Sequence, residues 1–143
     1  MIYLDATYIV KCYLREAGSR EVLALVQRRP GRSCALHGRV EVYSAVHRRL
    51  REKHLSAQDA AAVWKQFESD ERSGLWHWLA LTENITRHAC NVFEKLPPDV
   101  FLRSGDALHL ACAVENRFTD IYTGDRILLA AAPHFGLNGI SVY

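Results

Sequence analysis

Four acidic residues in this sequence stand beside apolar segments instead of on charged surfaces. Asp5 ends the run Ile2–Leu4, Glu41 lies between Val40 and Val42, Asp106 opens the segment GDALHLACAVE, and Asp125 follows DIYTG. Brought together, they would repel one another, and some would protonate unless a cation neutralised them. Carboxylate oxygens without His or Cys select a hard ion, Mg²⁺ or Mn²⁺. That ion polarises a phosphodiester and makes a water nucleophilic, so the expected chemistry is phosphoryl hydrolysis. Taken singly, three of the acids have plainer readings. Asp106 could cap a helix, with Ser104 as its rival, and Asp125 could be a turn residue. Glu41 could pair with Arg48 or Arg49 on a helix surface. Asp5 is harder to dismiss, because an acid closing a buried strand needs a partner.

The elements that must position these acids alternate in type. Apolar runs predict strands at Ile2–Leu4, Ser33–Leu36, Leu75–Leu81, Asp120–Thr123 and Ile140–Val142. Helical spacing predicts segments after Asp5, over Ser19–Arg28 and over Gly38–His54. Ser56 and Asp59 form a capping-box pattern for the next helix, with Ala60, Val63, Trp64 and Phe67 as its apolar stripe. Thr82 can cap a helix through Lys95 that turns Ile85, Ala89, Val92, Phe93 and Leu96 inward. A helix over Gly105–Asn116 and a short one after Asp125 complete the pattern. Such alternation predicts an α/β domain with a parallel sheet. Ligands of these sheets bind at the carboxyl edge of the strands. Asp5 and Asp125 sit at strand ends, and Glu41 and Asp106 at the helix beginnings that face the same edge.

Composition sets further bounds. With 143 residues, the chain has room for one compact domain. Its apolar runs are too short for a membrane span, and its N-terminus lacks the basic region of a signal peptide, so a cytoplasmic location is expected. The net charge of +2 conceals an asymmetry. Residues 28–54 carry eight Lys or Arg against two Glu, leaving ten basic and fourteen acidic residues elsewhere. A stretch of +6 beside a body of −4 suits a polyanion, although a solvated helix face has the same composition. Cys12, Cys34, Cys90 and Cys112 form no Cys-x-x-Cys pair, so no metal knuckle or redox dithiol is expected. Cys90 and Cys112 read as small buried hydrophobes.

The motifs, taken in order, resemble those of PIN-domain ribonucleases. YLDATYIVKCY resembles the opening motif, and RVEVYSAVHRRL the Glu-bearing helix. LRSGDALHLACAVE is similar to the third motif, and DIYTGDRILLAAAPHFGL to the closing one. Tyr8 and Gly124 are mild departures, and neither removes an acid. The resemblance spans Ile2 to Val142, so a single PIN domain over residues 1–143 is expected. Within the family, the chain is similar to the toxins of VapBC-type toxin–antitoxin pairs.

That resemblance implies a three-layer fold with a five-stranded parallel sheet flanked by helices. It implies an Mg²⁺- or Mn²⁺-dependent endoribonuclease that forms a homodimer and is inhibited by a cognate antitoxin protein. Asp5, Glu41, Asp106 and Asp125 would be both catalytic residues and metal ligands, with Thr7 and Thr123 orienting them. Arg39, Arg48, Arg49, Arg51 and Lys53 are candidate contacts to the RNA backbone. His109 could approach the site one turn after Asp106, although a packed helix histidine is the simpler expectation; the remaining histidines show no ligand spacing. Trp64, Trp76 and Trp78 read as core or dimer-interface residues before base-stacking ones. The alternative is a catalytically silent binding module on the same fold, against which the complete acidic set argues. Two phosphotransfer folds fit poorly, because Thr7 and Ala6 stand where a phosphatase or a receiver domain needs a second acid.

Overall fold

Period-two alternation along the central strands decides which helices cover which face. In a computed structural model, which describes residues 1–143, strands β1 (Ile2–Leu4), β2 (Arg32–Ala35), β3 (His77–Leu79), β4 (Asp120–Tyr122) and β5 (Asn138–Ile140) form one parallel sheet. Their spatial order is β3-β2-β1-β4-β5. Tyr3, Ala35 and Ile121 belong to one apolar cluster, whereas Ile2, Leu4 and Cys34 belong to the other, as alternating side chains require. Helices α1 (Ala6–Tyr13), α2 (Ser19–Arg28), α3 (Gly38–Arg51) and α4 (Ala57–Arg72) cover the second face. Helices α5 (Glu83–Lys95), α6 (Ser104–Glu115) and α7 (Arg126–Ala131) cover the first, with a 3-10 turn at Ala132–Phe135. The result is the three-layer α/β architecture expected from the sequence. No helix is long and apolar enough to cross a membrane.

The order of the strands fixes where a site can form. From β1 the chain steps outward through β2 and β3, then returns to the other side of β1 for β4 and β5. The direction of winding therefore reverses between β1 and β4, leaving a crevice at their carboxyl ends. The strands at that crevice are anchored in the core. Leu4 and Ile121 are wholly buried, each contributing about 2 kcal/mol through removal from water.

Several expected boundaries shift. The last strand is Asn138–Ile140, not Ile140–Val142, because its pairing with β4 sets the register at Asp120↔Asn138 and Tyr122↔Ile140. Val142 donates its N–H to the Tyr8 hydroxyl instead of to a ladder. The expected strand Leu75–Leu81 contracts to His77–Leu79, which pairs only with β2. Helix α3 stops at Arg51, where Lys53 turns to φ 60° and the His54 and Leu55 N–H groups close on the Arg49 carbonyl. Along α5, Ile85 and Ala89 are buried as expected, but Cys90 and Phe93 are exposed. Cys90 falls about 100° round the helix from Ala89, beyond the inward stripe. Cys112 is buried, as read.

The two departures from the family motifs both lie against Tyr143. A Cβ at Gly124 would lie 1.7 Å from the Tyr143 hydroxyl, so a larger residue there would have to move the exposed Tyr143 ring aside. The ring of Tyr8 packs against the same Tyr143, with centroids 5.9 Å apart.

Candidate active site

Each of the four acids enters from a different segment, and each is held by the local structure that carries it. Asp5 follows β1 and caps α1, accepting the Tyr8 N–H at 3.2 Å. Asp125 follows β4 and caps α7, accepting the Ile127 N–H at 2.7 Å. Glu41 is in the first turn of α3, and Asp106 in the first turn of α6. All four line one pocket of about 540 Å³, together with Thr7, Arg48, Arg103 and His109. Asp125, for which the plainer reading was a turn residue, caps α7 and lines the pocket as well. Neither Ser104 nor Asp106 caps α6, whose N-cap is Arg103. Glu41 pairs with His109, not with Arg48 or Arg49.

Hydroxyl groups hold Asp5 in place. Thr7 lies 2.8 Å from both of its carboxylate oxygens, and Thr123 donates to Oδ2 at 2.8 Å. Thr123 also accepts the Asp125 N–H at 2.9 Å, so one buried hydroxyl links two of the acids. Asp5 is 1% exposed, and no lysine or arginine is bonded to it. Burial pushes its pKa up to about 6, against the opposing pull of nearby His109 and of its hydrogen bonds.

Glu41 ends a chain of hydrogen bonds that starts in the sheet. The Ala35 N–H donates to the Tyr3 hydroxyl at 3.2 Å, and that hydroxyl is 3.0 Å from His109 Nδ1. His109 Nε2 is 2.7 Å from Glu41 Oε2. With the proton on Nε2, every link is satisfied: Tyr3 donates to Nδ1, and Nε2 donates to the carboxylate. Partial burial is the largest single influence and opposes the charge on Glu41, but the His109 bond together with the nearby charges of His109, His37 and Arg103 outweighs it and holds this carboxyl below its usual range. His37 packs its ring 4.2 Å from that of His109 and directs Nε2 at the Gly105 carbonyl, 3.1 Å away. Burial and the neighbouring imidazole push the His37 pKa down to about 4. The buried His109 is therefore both a packed helix residue and a neighbour of the acids. His37 lacked any ligand spacing in the sequence, and only the fold places it here.

Arg103 was not among the expected site residues. Its Nε donates to Asp106 Oδ2 and its Nη2 to Asp125 Oδ2, both at 2.6 Å. Of the five basic candidates, only Arg48 lines the pocket. Arg39 is bonded to Glu71 at 2.7 Å and lies over Trp78, and Arg49 is paired with Glu16. Arg51 and Lys53 are exposed at the end of α3 and the turn after it. Trp64, Trp76 and Trp78 pack in the cluster around α3 and α4, and none lines the pocket. A second groove, of about 630 Å³, lies along α5 and the end of α6, where His88 is paired with Glu115 and no carboxylate cluster occurs.

The donor set fits a hard divalent cation. Four carboxylates converge, Asp5 is buried without a cationic partner, and Arg103 is the one arginine bonded to the group. His37, Glu41 and His109 also bring ligand atoms within 4.8 Å of one another. The Nε2 atoms of both histidines are already engaged, that of His37 at a carbonyl and that of His109 at a carboxylate. The trio therefore reads as a hydrogen-bonded support for Glu41, and oxygen remains the ligand class.

Known proteins share this arrangement of elements. FitAcB from Neisseria gonorrhoeae superposes with a TM-score of 0.77 at 13% identity, covering 98% of this chain and 96% of that one. VapC20 from Mycobacterium tuberculosis, a toxin that cleaves the sarcin–ricin loop, gives 0.71 at 16% identity over 92% and 95% of the two chains. VapBC2 from Rickettsia felis, bound to a DNA fragment from its promoter, gives 0.68 at 14% over 99% and 98%. At these identities the likeness is one of fold. No curated protein matches the sequence at a significant level. The PIN domain profile, in contrast, matches residues 2–133 of the sequence itself. This chain belongs to the PIN domain family.

Proposed function

We propose that this protein is a metal-dependent endoribonuclease and the toxin of a toxin–antitoxin pair. One observation carries the reading: acids from four separate segments line one pocket at the carboxyl edge of the sheet. Asp5, Glu41, Asp106 and Asp125 would hold Mg²⁺ or Mn²⁺, which supplies Lewis acidity toward the phosphodiester and its attacking water. Thr7 and Thr123 orient the Asp5 carboxylate, and His109 fixes that of Glu41. Arg48 at the pocket, with Arg51 and Lys53 farther along, attracts the RNA backbone. The likeness to toxin–antitoxin structures supports an antitoxin protein as partner; a homodimer as the working form, a cytoplasmic location and one PIN domain over residues 1–143 complete the reading.

The purified chain, freed of any bound partner, should cleave RNA in Mg²⁺ or Mn²⁺. Chelation should stop cleavage, and added metal should restore it. Cleavage that survives chelation, or that an Asp5→Asn variant retains, overturns the mechanism.

A further inference from the structure

The acids of the pocket are not neutralised alike. Asp5 rests on hydroxyls and a backbone N–H, and Glu41 on the imidazole of His109. Asp106 and Asp125 share the guanidinium of Arg103, whose Nε and Nη2 each reach one Oδ2 at 2.6 Å. The remaining oxygen of Asp125 already accepts the Ile127 N–H. A cation approaching Asp125 therefore meets the oxygen that Arg103 holds, and meets a positive charge beside it. The arginine can yield. Its side chain is 52% exposed and branches from the N-cap position of α6, not from the helix interior.

We propose that Arg103 is a displaceable counter-ion of Asp106 and Asp125. Without metal it bridges the two carboxylates and keeps them from repelling; a divalent cation takes the carboxylates, and the freed guanidinium then binds the RNA phosphate at the pocket mouth. The inference rests on the metal-nuclease reading above and deepens it by adding a substrate-binding residue. A planar fork suits both tasks, because carboxylate and phosphate accept the same pair of N–H donors. Releasing Arg103 only when metal is present makes RNA binding depend on metal loading.

Calorimetric Mn²⁺ titration of the RNA-free protein tests this. Arg103→Gln removes the competing charge and should bind Mn²⁺ about tenfold more tightly than the parent, a change of about 1.4 kcal/mol. At saturating Mn²⁺ the same variant should show a several-fold higher KM for RNA with kcat less affected, and Arg103→Lys should restore part of that KM. In the unaltered protein, the Arg103 Nε–H resonance should shift and exchange faster with solvent on addition of Mg²⁺. Unchanged or weaker Mn²⁺ binding by Arg103→Gln, or an Nε–H signal indifferent to Mg²⁺, overturns the role of Arg103. Absence of Mn²⁺ binding by the parent instead overturns the metal-nuclease reading, and this inference with it.

Discussion

At the residue scale, burial of the Asp5 carboxylate carries a stability cost that can be measured. Its pKa rises from an ordinary 3.8 to about 6 on folding because burial disfavours the charge. Between those values the native chain binds more protons than the unfolded one, so this contribution to stability falls as pH rises. Above pH 6 the full cost is present, about 3 kcal/mol at 1.36 kcal/mol per unit. Metal-free Asp5→Asn should therefore match the parent in Tm near pH 4 and exceed it increasingly up to pH 7, while losing RNA cleavage. A Tm difference that stays flat across that range refutes the assignment. His109 carries the opposite expectation. His109→Ala leaves the Tyr3 hydroxyl and Glu41 without their shared partner, and urea denaturation should show a loss of about 2–3 kcal/mol. The acids themselves were legible in the sequence, because a carboxylate beside apolar residues is conspicuous. His109 was legible only in part, and His37 and Arg103 not at all, because an imidazole or a guanidinium has several ordinary uses until its partner is known.

At the scale of elements, the site depends on how closely α3 approaches β2 and α6. Gly38 opens α3, and a Cβ there would lie 2.5 Å from Cys34 Sγ and 3.3 Å from His109 Cε1. Gly38→Ala should push α3 away from the sheet and cost about 1–3 kcal/mol. Combining it with Cys34→Ala should recover part of that loss, and thermal denaturation of the two single variants and the double one reads the coupling directly. Two helices met their expected caps: Ser56 accepts the Asp59 N–H, and Thr82 accepts the Ile85 N–H. Capping is local and readable in three or four residues. The last strand was misplaced because its register belongs to its pairing with β4, and no local pattern encodes a neighbour nearly twenty residues away. Cys90 and Phe93 were assigned inward because apolar type alone does not mark the edge of a helical stripe.

At the scale of the whole molecule, charge is divided between a stable fold and an unpaired surface. Arg39 and Arg49 are committed to Glu71 and Glu16 and thus serve the packing of α3. Arg48, Arg51 and Lys53 are exposed. RNA binding by the non-cleaving Asp5→Asn variant should weaken as salt rises. Arg48→Ala or Lys53→Ala should reduce that salt slope by about one for each phosphate contact removed. Arg49→Ala should leave the slope unchanged. Equal slopes for all three variants would remove the distinction between paired and free arginines.

The sequence by itself determined the α/β class, the approximate elements and the identities of the four acids. Hydrophobic period and residue type are properties of single segments, and those segments form as their own chemistry directs. Tertiary structure alone decided that Thr123 links Asp5 to Asp125, that Tyr3 and His109 hold Glu41, and that Arg103 spans Asp106 and Asp125. The Asp5–Thr123 and Tyr3–His109 pairs are separated by more than one hundred residues along the chain. They meet because the winding reverses between β1 and β4, and a hydrogen bond has no energy until both of its ends are placed.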